Sequence, residues 1–157
     1  MKELLKYIPS IKSVNVLLVE DNPADVRLAR EALKGGTLKN NLNVVMDGEE
    51  ALFFLRKTGK YADDRTPDID IILLDLNLPK KDGREVLAEV KMDPALKHIP
   101  VIILTTSAAE QDILETYNNH ANCFIIKPVD FDEFSTIIKC IEQFWLSIVK
   151  LPVKIKE

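Results

Sequence analysis

The sequence predicts an α/β domain: a five-stranded parallel sheet, doubly wound, with helices on both faces. Three observations point there. Five short aliphatic runs without helical spacing alternate with five segments whose apolar residues recur at helical spacing. The interior runs are continuously apolar, as strands covered on both faces are. Strict alternation also requires crossover connections, which are right-handed in nearly all cases, so the strands run parallel with an expected order of 2-1-3-4-5. At 157 residues the chain has the length of a single domain with one substantial core.

The elements follow in order. Val14 to Val19 is the first strand, closed by Glu20 and Asp21. Asn22 then offers a helix cap and Pro23 a first helical residue, opening a helix to Lys34 with Val26, Ala29, Ala32 and Leu33 inward and Gly35 and Gly36 at its end. Leu42 to Met46 is a second strand. Asp47 with Glu50 makes a capping box for a helix that buries Ala51, Leu52, Phe54 and Leu55. Thr58 to Pro67, polar and rich in turn formers, is a surface loop. Ile69 to Leu74 is the third strand and ends at Asp75.

After Gly83, Arg84 to Met92 reads as a helix with Val86, Leu87 and Val90 inward, stopped by Asp93 and Pro94. Pro100 to Leu104 is the fourth strand and delivers Thr105 and Thr106 to its end. Ser107 and Glu110 form a capping box for a helix from Ala108 to Asn118. Asn122 to Ile126 is the fifth strand, with Lys127 and Pro128 behind it. Asp130 and Glu133 cap the longest helix, Val129 stapling onto Phe134, with Ile137, Ile138, Ile141, Phe144, Trp145 and Ile148 continuing the stripe. The domain therefore spans 14–148, between a leader (1–13) and a C-terminal extension (149–157) that carries no output domain.

Composition narrows the function. Net charge −4 provides no basic footprint for nucleic acid or an anionic membrane. The first ten residues lack the apolar run of a signal peptide, and no stretch approaches a membrane span, which places the chain in the cytoplasm. Cys123 and Cys140 lack metal-ligand spacing and read as buried reduced thiols. His98 and His120 have no partner motif for zinc and read as surface residues.

The remaining polar residues all fall on the carboxyl rim of the sheet, where open α/β folds bind ligands: Glu20 and Asp21, Asp75, Thr105, Lys127. Singly, each has an ordinary explanation as a cap, a backbone partner or a loop residue. Jointly they suit phosphoryl transfer. Converging carboxylates repel unless a cation compensates, and Mg2+ suits Asp21 and Asp75 with Glu20 acting through water. Asp75 is then the carboxylate nucleophile. The cation, the Lys127 ammonium and the Thr105 hydroxyl each serve one phosphoryl oxygen. Thr106 is the neighbouring candidate for the hydroxyl. One rival is an aspartate-nucleophile phosphatase, which needs an acid two residues after the nucleophile, where this chain has Asn77. A second is an inactive binding module of the same fold.

Val19 to Pro23, Leu73 to Pro79 with Asp82 and Gly83, Pro100 to Thr105, and Phe124 to Pro128 together resemble the receiver domain of two-component response regulators, over about 14–148. The resemblance implies the flavodoxin-like (βα)5 three-layer sandwich and Asp75 as phosphoacceptor, charged by a sensor histidine kinase. It also implies Glu20 and Asp21 as the acidic pair and the Asn77 main-chain carbonyl as a further metal ligand for Mg2+, with Mn2+ as a substitute. Thr105 and Phe124 become the switch pair, and Lys127–Pro128 a cis peptide. Glu20 stands where aspartate is common, and Phe124 where tyrosine is frequent and would add a hydroxyl. The loop before Asp68, the Leu104 to Ser107 block and the Glu142 to Leu146 end are similar to single-domain regulators that partner phytochrome-type sensor kinases. Output is then binding to an unidentified protein target. The apolar cluster of Phe144, Trp145 and Ile148, with Val149, Leu151, Val153 and Ile155, either builds a homodimer or docking surface or finishes the core.

Overall fold

The computed structural model describes residues 13–35 and 39–152. The expected leader (except Ser13), Gly36, Val153 and Ile155 lie outside the described residues. The strands are β1 (Val14–Val19), β2 (Asn40–Val45), β3 (Ile71–Leu74), β4 (Val101–Thr105) and β5 (Cys123–Ile126). The helices are α1 (Pro23–Lys34), α2 (Gly48–Arg56), α3 (Gly83–Met92), α4 (Glu110–Asn118) and α5 (Phe131–Ile141). All four strand pairings are parallel, in the order β2-β1-β3-β4-β5.

Side-chain alternation along the strands divides the core in two. Leu17 and Val19 of β1, Ile72 and Leu74 of β3, and Val101 and Ile103 of β4 face α2 and α3, meeting Leu52, Leu55, Val86, Leu87 and Val90. Val16, Leu18, Ile71, Leu73, Ile102 and Leu104 face α1 and α5, meeting Ala29, Leu33, Phe134, Ile138 and Ile141. Each run had to be continuously apolar because both of its faces are covered.

Four helices begin on a capping carboxylate or amide, three of them on the residue expected and one, α3, on Asp82, which the sequence reading does not name as a cap. Asn22 accepts from the N–H groups of Ala24 and Asp25, Asp47 from Glu50, Asp82 from Arg84, and Asp130 from Asp132 and Glu133. Such caps satisfy N–H groups that the helix itself leaves without partners.

Several expectations need correction. The Ser107 capping box does not form: α4 starts at Glu110 behind Ala109, and the Ser107 hydroxyl donates to the Asp112 carboxylate instead. Val129 is 99% exposed and staples nothing, while Phe134 is buried without it. α5 is shorter than expected, because a π-helical turn, Glu142–Leu146, takes over after Ile141. That turn rotates the stripe, burying Leu146 and leaving Phe144 53% exposed. Cys140 is exposed and Cys123 only partly covered, so neither is the buried thiol expected. Within the loop before β3, Gly59–Tyr61 forms a 3-10 turn whose Tyr61 ring packs on Phe54. No helix among the described residues is long and apolar enough to cross a membrane.

Candidate functional site

Parallel pairing brings the carboxyl ends of β1, β3, β4 and β5 to one rim. Asp75 leaves β3 next to β1, its N–H donating to the Val19 carbonyl at 3.1 Å. Lys127 leaves β5 next to β4, its N–H donating to the Thr105 carbonyl at 2.7 Å. Residues more than fifty positions apart thereby meet. The Lys127 ammonium donates to Asp75 Oδ2 at 3.1 Å, to Asp25 Oδ2 at 3.0 Å and to Glu20 Oε2. Asp75 and Lys127 are 7% and 6% exposed and Glu20 is buried, whereas Asp21 lies open to solvent.

The backbone holds both inner carboxylates. Asn77 N–H donates to Asp75 Oδ1 at 3.2 Å, and Asn22 N–H donates to Glu20 Oε1 at 3.1 Å. Behind Asp75, the N–H of Gly83 donates to the Leu76 carbonyl at 2.9 Å. A Cβ on Gly83 would sit 2.1 Å from the Asp75 carbonyl oxygen, so only glycine lets α3 begin this close to the acidic loop.

The electrostatics reflect four carboxylates around one ammonium. Burial pushes the Glu20 carboxyl up to about 7 from its ordinary 4.5, against the hydrogen bond and charge of Lys127, and with the Asp75 charge adding to the rise. Burial pulls the Lys127 ammonium down, but Glu20, Asp75 and Asp25 outweigh it and hold the group above the usual lysine value.

Carboxylate oxygens of Glu20, Asp21 and Asp75 lie within 4.8 Å of one another. An all-oxygen, partly open set of this kind fits a hard divalent cation that keeps several waters. The donor chemistry and the surplus of negative charge both agree with it.

Thr105 is fully buried and Thr106 exposed. The Thr105 hydroxyl takes the Ser107 N–H at 3.4 Å and stands outside the hydrogen-bonded group around Lys127. Phe124 lies in mid β5, half-buried against the α2 and α3 side of the core. The Lys127–Pro128 bond, expected cis, is trans, as is every peptide bond among the described residues. Trans is the favoured isomer by about 0.5–1 kcal/mol for a bond to proline, and Lys127 reaches the carboxylates in that form.

Two participants escaped the sequence reading. Asp25 falls within the expected helix from Pro23 to Lys34, and the signal for its role is an acid in the first turn four residues after Asp21. Arg84 pairs with Asp82 at 3.1 Å and with Asp112 at 2.8 Å, joining the start of α3 to α4, and no spacing rule links those positions.

A parallel sheet in this order, with an acidic pair at the end of β1, an aspartate at the end of β3 and a lysine at the end of β5, defines a doubly wound α/β domain with a receiver-type acidic site. Residues 16–139 match the response regulator receiver domain, and the chain belongs to that family of two-component signalling proteins. It is 48% identical over 137 residues to response regulator Rcp1 of Synechocystis sp., covering 87% of this chain and 92% of Rcp1. It is 37% identical to the probable methanogenesis regulatory protein FilR2 of Methanothrix harundinacea, over 87% of this chain and 86% of that protein. Among solved structures, the phosphorylated cyanobacterial phytochrome response regulator RcpA superposes with a TM-score of 0.86 at 51% identity, covering 90% of this chain and all of that one. The Mn2+-bound form of Rcp1 gives 0.86 at 47%, covering 89% and 99%.

Proposed function

We propose that this chain accepts a phosphoryl group on Asp75 from a sensor histidine kinase in a Mg2+-dependent reaction, and signals through a protein contact that depends on that phosphoryl group. The observation that carries the reading is the Lys127 ammonium bound to Asp75 in a buried setting where Glu20, Asp21 and Asp75 present oxygens to one point.

In the transfer, an Asp75 oxygen forms the new bond to phosphorus while the bond from phosphorus to the donor nitrogen breaks, and the donor ring, protonated on its other nitrogen, leaves as neutral imidazole. Lys127 moves its hydrogen bond from the carboxylate to a phosphoryl oxygen and balances the charge there. The N–H of Asn77 remains beside the acyl oxygen. The Thr105 hydroxyl turns from Ser107 to another phosphoryl oxygen. Glu20, Asp21, Asp75 and the Asn77 carbonyl would hold the cation, which neutralises charge on the carboxylates and the phosphoryl group. Mn2+ serves as a substitute, in line with the Mn2+-bound form of Rcp1.

Once Thr105 turns inward, the space it leaves is open to Phe124, and the face formed by α4, β5 and α5 repacks. Output is binding to an unidentified protein target. Phe144 and Ile148 stand exposed while Trp145 packs into the core, which supports a homodimer built on that end of α5. The described relatives' link to phytochrome supports a phytochrome-type sensor kinase as donor. A net charge of −4 is unsuited to nucleic acid or an anionic membrane surface. The site of action is the cytoplasm, where the ATP that charges such a kinase is found. The receiver unit is 14–148, with 1–13 as leader and 149–157 as extension.

Incubation with Mg2+ and a small acyl-phosphate donor tests the reading: the intact chain gains the mass of one phosphoryl group and Asp75→Asn does not. Equal gain by Asp75→Asn, or steady turnover of the donor without a phosphorylated chain, would sink it.

A further inference from the structure

We propose that Asp25 is a positioning residue for Lys127, keeping its ammonium beside Asp75 while a cation occupies the acidic trio; the inference rests on the phosphoacceptor reading above. An ammonium has three N–H donors, and Lys127 directs them to three carboxylates, on Glu20, Asp75 and Asp25. Glu20 and Asp75 also belong to the trio whose oxygens converge within 4.8 Å, and Asp25 does not. A divalent cation therefore competes with Lys127 for two of its partners and repels it as well. Asp25 is the partner that the cation leaves in place.

The backbone prepares Asp25 for this work. It sits in the first turn of α1, where the Asn22 amide oxygen caps the helix and accepts from the Asp25 N–H at 3.4 Å. A helix N-terminus favours a carboxylate at that place. Its carboxylate lies 3.0 Å from the Lys127 ammonium, with the Asp25 side chain 20% exposed, so the contact is charge-assisted and only partly screened. Because its charge is matched by the ammonium it binds, Asp25 guides Lys127 toward a phosphoryl oxygen without opposing the phosphoryl group with an unpaired charge.

The test is self-phosphorylation with acetyl phosphate at saturating Mg2+, followed by intact mass. Asp25→Ala lowers the rate constant by about tenfold, the scale of one charge-assisted hydrogen bond, and Asp25→Glu recovers part of it. In a Lys127→Met background, Asp25→Ala has no further effect, because its role acts through Lys127. A wild-type rate in Asp25→Ala, or the same tenfold loss in the Lys127→Met background, overturns the inference. A second readout does not depend on turnover. With Mg2+ bound, the Lys127 ammonium of the wild type shows a slowly exchanging 15N resonance that disappears in Asp25→Ala, and persistence of that resonance also overturns it. Should wild type and Asp75→Asn be phosphorylated alike, the underlying reading fails instead, which is a separate result.

Discussion

Gly83→Ala measures how closely α3 must approach the phosphoacceptor loop. An added methyl would lie 2.1 Å from the Asp75 carbonyl oxygen, 2.7 Å from the Leu76 Cα and 3.0 Å from the Asp75 carbonyl carbon. All three are backbone atoms at the end of a buried strand, so relief requires moving the start of α3 by on the order of 1 Å, given contact distances near 3.5 Å. Overpacking of this kind costs about 1–3 kcal/mol. The same displacement stretches the 2.9 Å bond from Gly83 N–H to the Leu76 carbonyl, for about 1 kcal/mol more.

The combined loss is about 2–4 kcal/mol, and at roughly 2–4 °C per kcal/mol for a chain of this size the melting temperature falls by about 5–15 °C. Gly35→Ala is the control, since its added methyl meets nothing nearer than 3.9 Å and φ is −80°. It should stay within about 0.5 kcal/mol of wild type. Thermal and urea unfolding followed by circular dichroism read both variants. A Gly83→Ala protein melting within a degree of the Gly35→Ala control would show that α3 has slack, and the close-approach reasoning would be wrong.

Lys127→Met leaves Glu20 and Asp75 buried without their ammonium and destabilises the metal-free protein by about 3 kcal/mol, with Mg2+ restoring part of it in a thermal shift assay. Arg84→Ala removes the bridge from Asp82 to Asp112, and hydrogen exchange of the α4 amides should quicken while that of β3 does not. The Glu20 carboxyl holds its proton up to about 7 when folded but releases it near 4.5 when unfolded, so the metal-free protein loses stability as pH rises through that window. Cation binding needs the ionised form, so affinity by calorimetry climbs over the same window by up to about tenfold per pH unit, and Glu20→Gln flattens the climb. If the proposed dimer forms on this end of α5, Phe144→Ser shifts it to monomer in sedimentation, whereas lowered stability without change of mass would assign Phe144 to the core.

The fold was legible because its signals are local and repeated. Ile71 to Leu74 are all buried, so a run without a polar residue was a reliable sign of a strand between two helical layers. Asp75 was legible for the same reason: a carboxylate ending such a run has to emerge at the rim. Signals that depend on what lies across the structure were not legible. Ser107 and Glu110 have the spacing of a capping box, but Asp112, itself held by Arg84 from α3, takes the Ser107 hydroxyl and α4 starts later. Val129 has the spacing of a staple, yet nothing packs over it. Asp25 meets a lysine 102 positions away, and only the parallel sheet, which brings the start of α1 and the end of β5 to one rim, makes them neighbours.

The site's instability and its chemistry have one origin. Burying Asp75 and Glu20 beside each other is unfavourable, and a single lysine moderates it by sharing its protons among three carboxylates. That arrangement is poised. A divalent cation that bound the folded chain alone would stabilise it by about 2.7 kcal/mol at a hundredfold excess over its dissociation constant, and Glu20 and Asp75, in holding it, would release Lys127. On the proposed function, the lysine would become available to a phosphoryl oxygen only once a cation held by Glu20, Asp21 and Asp75 had taken its partners, so charge neutralisation and phosphoryl recognition would be ordered by competition for the same oxygens. A site with fewer acids would be more stable and would lack that ordering.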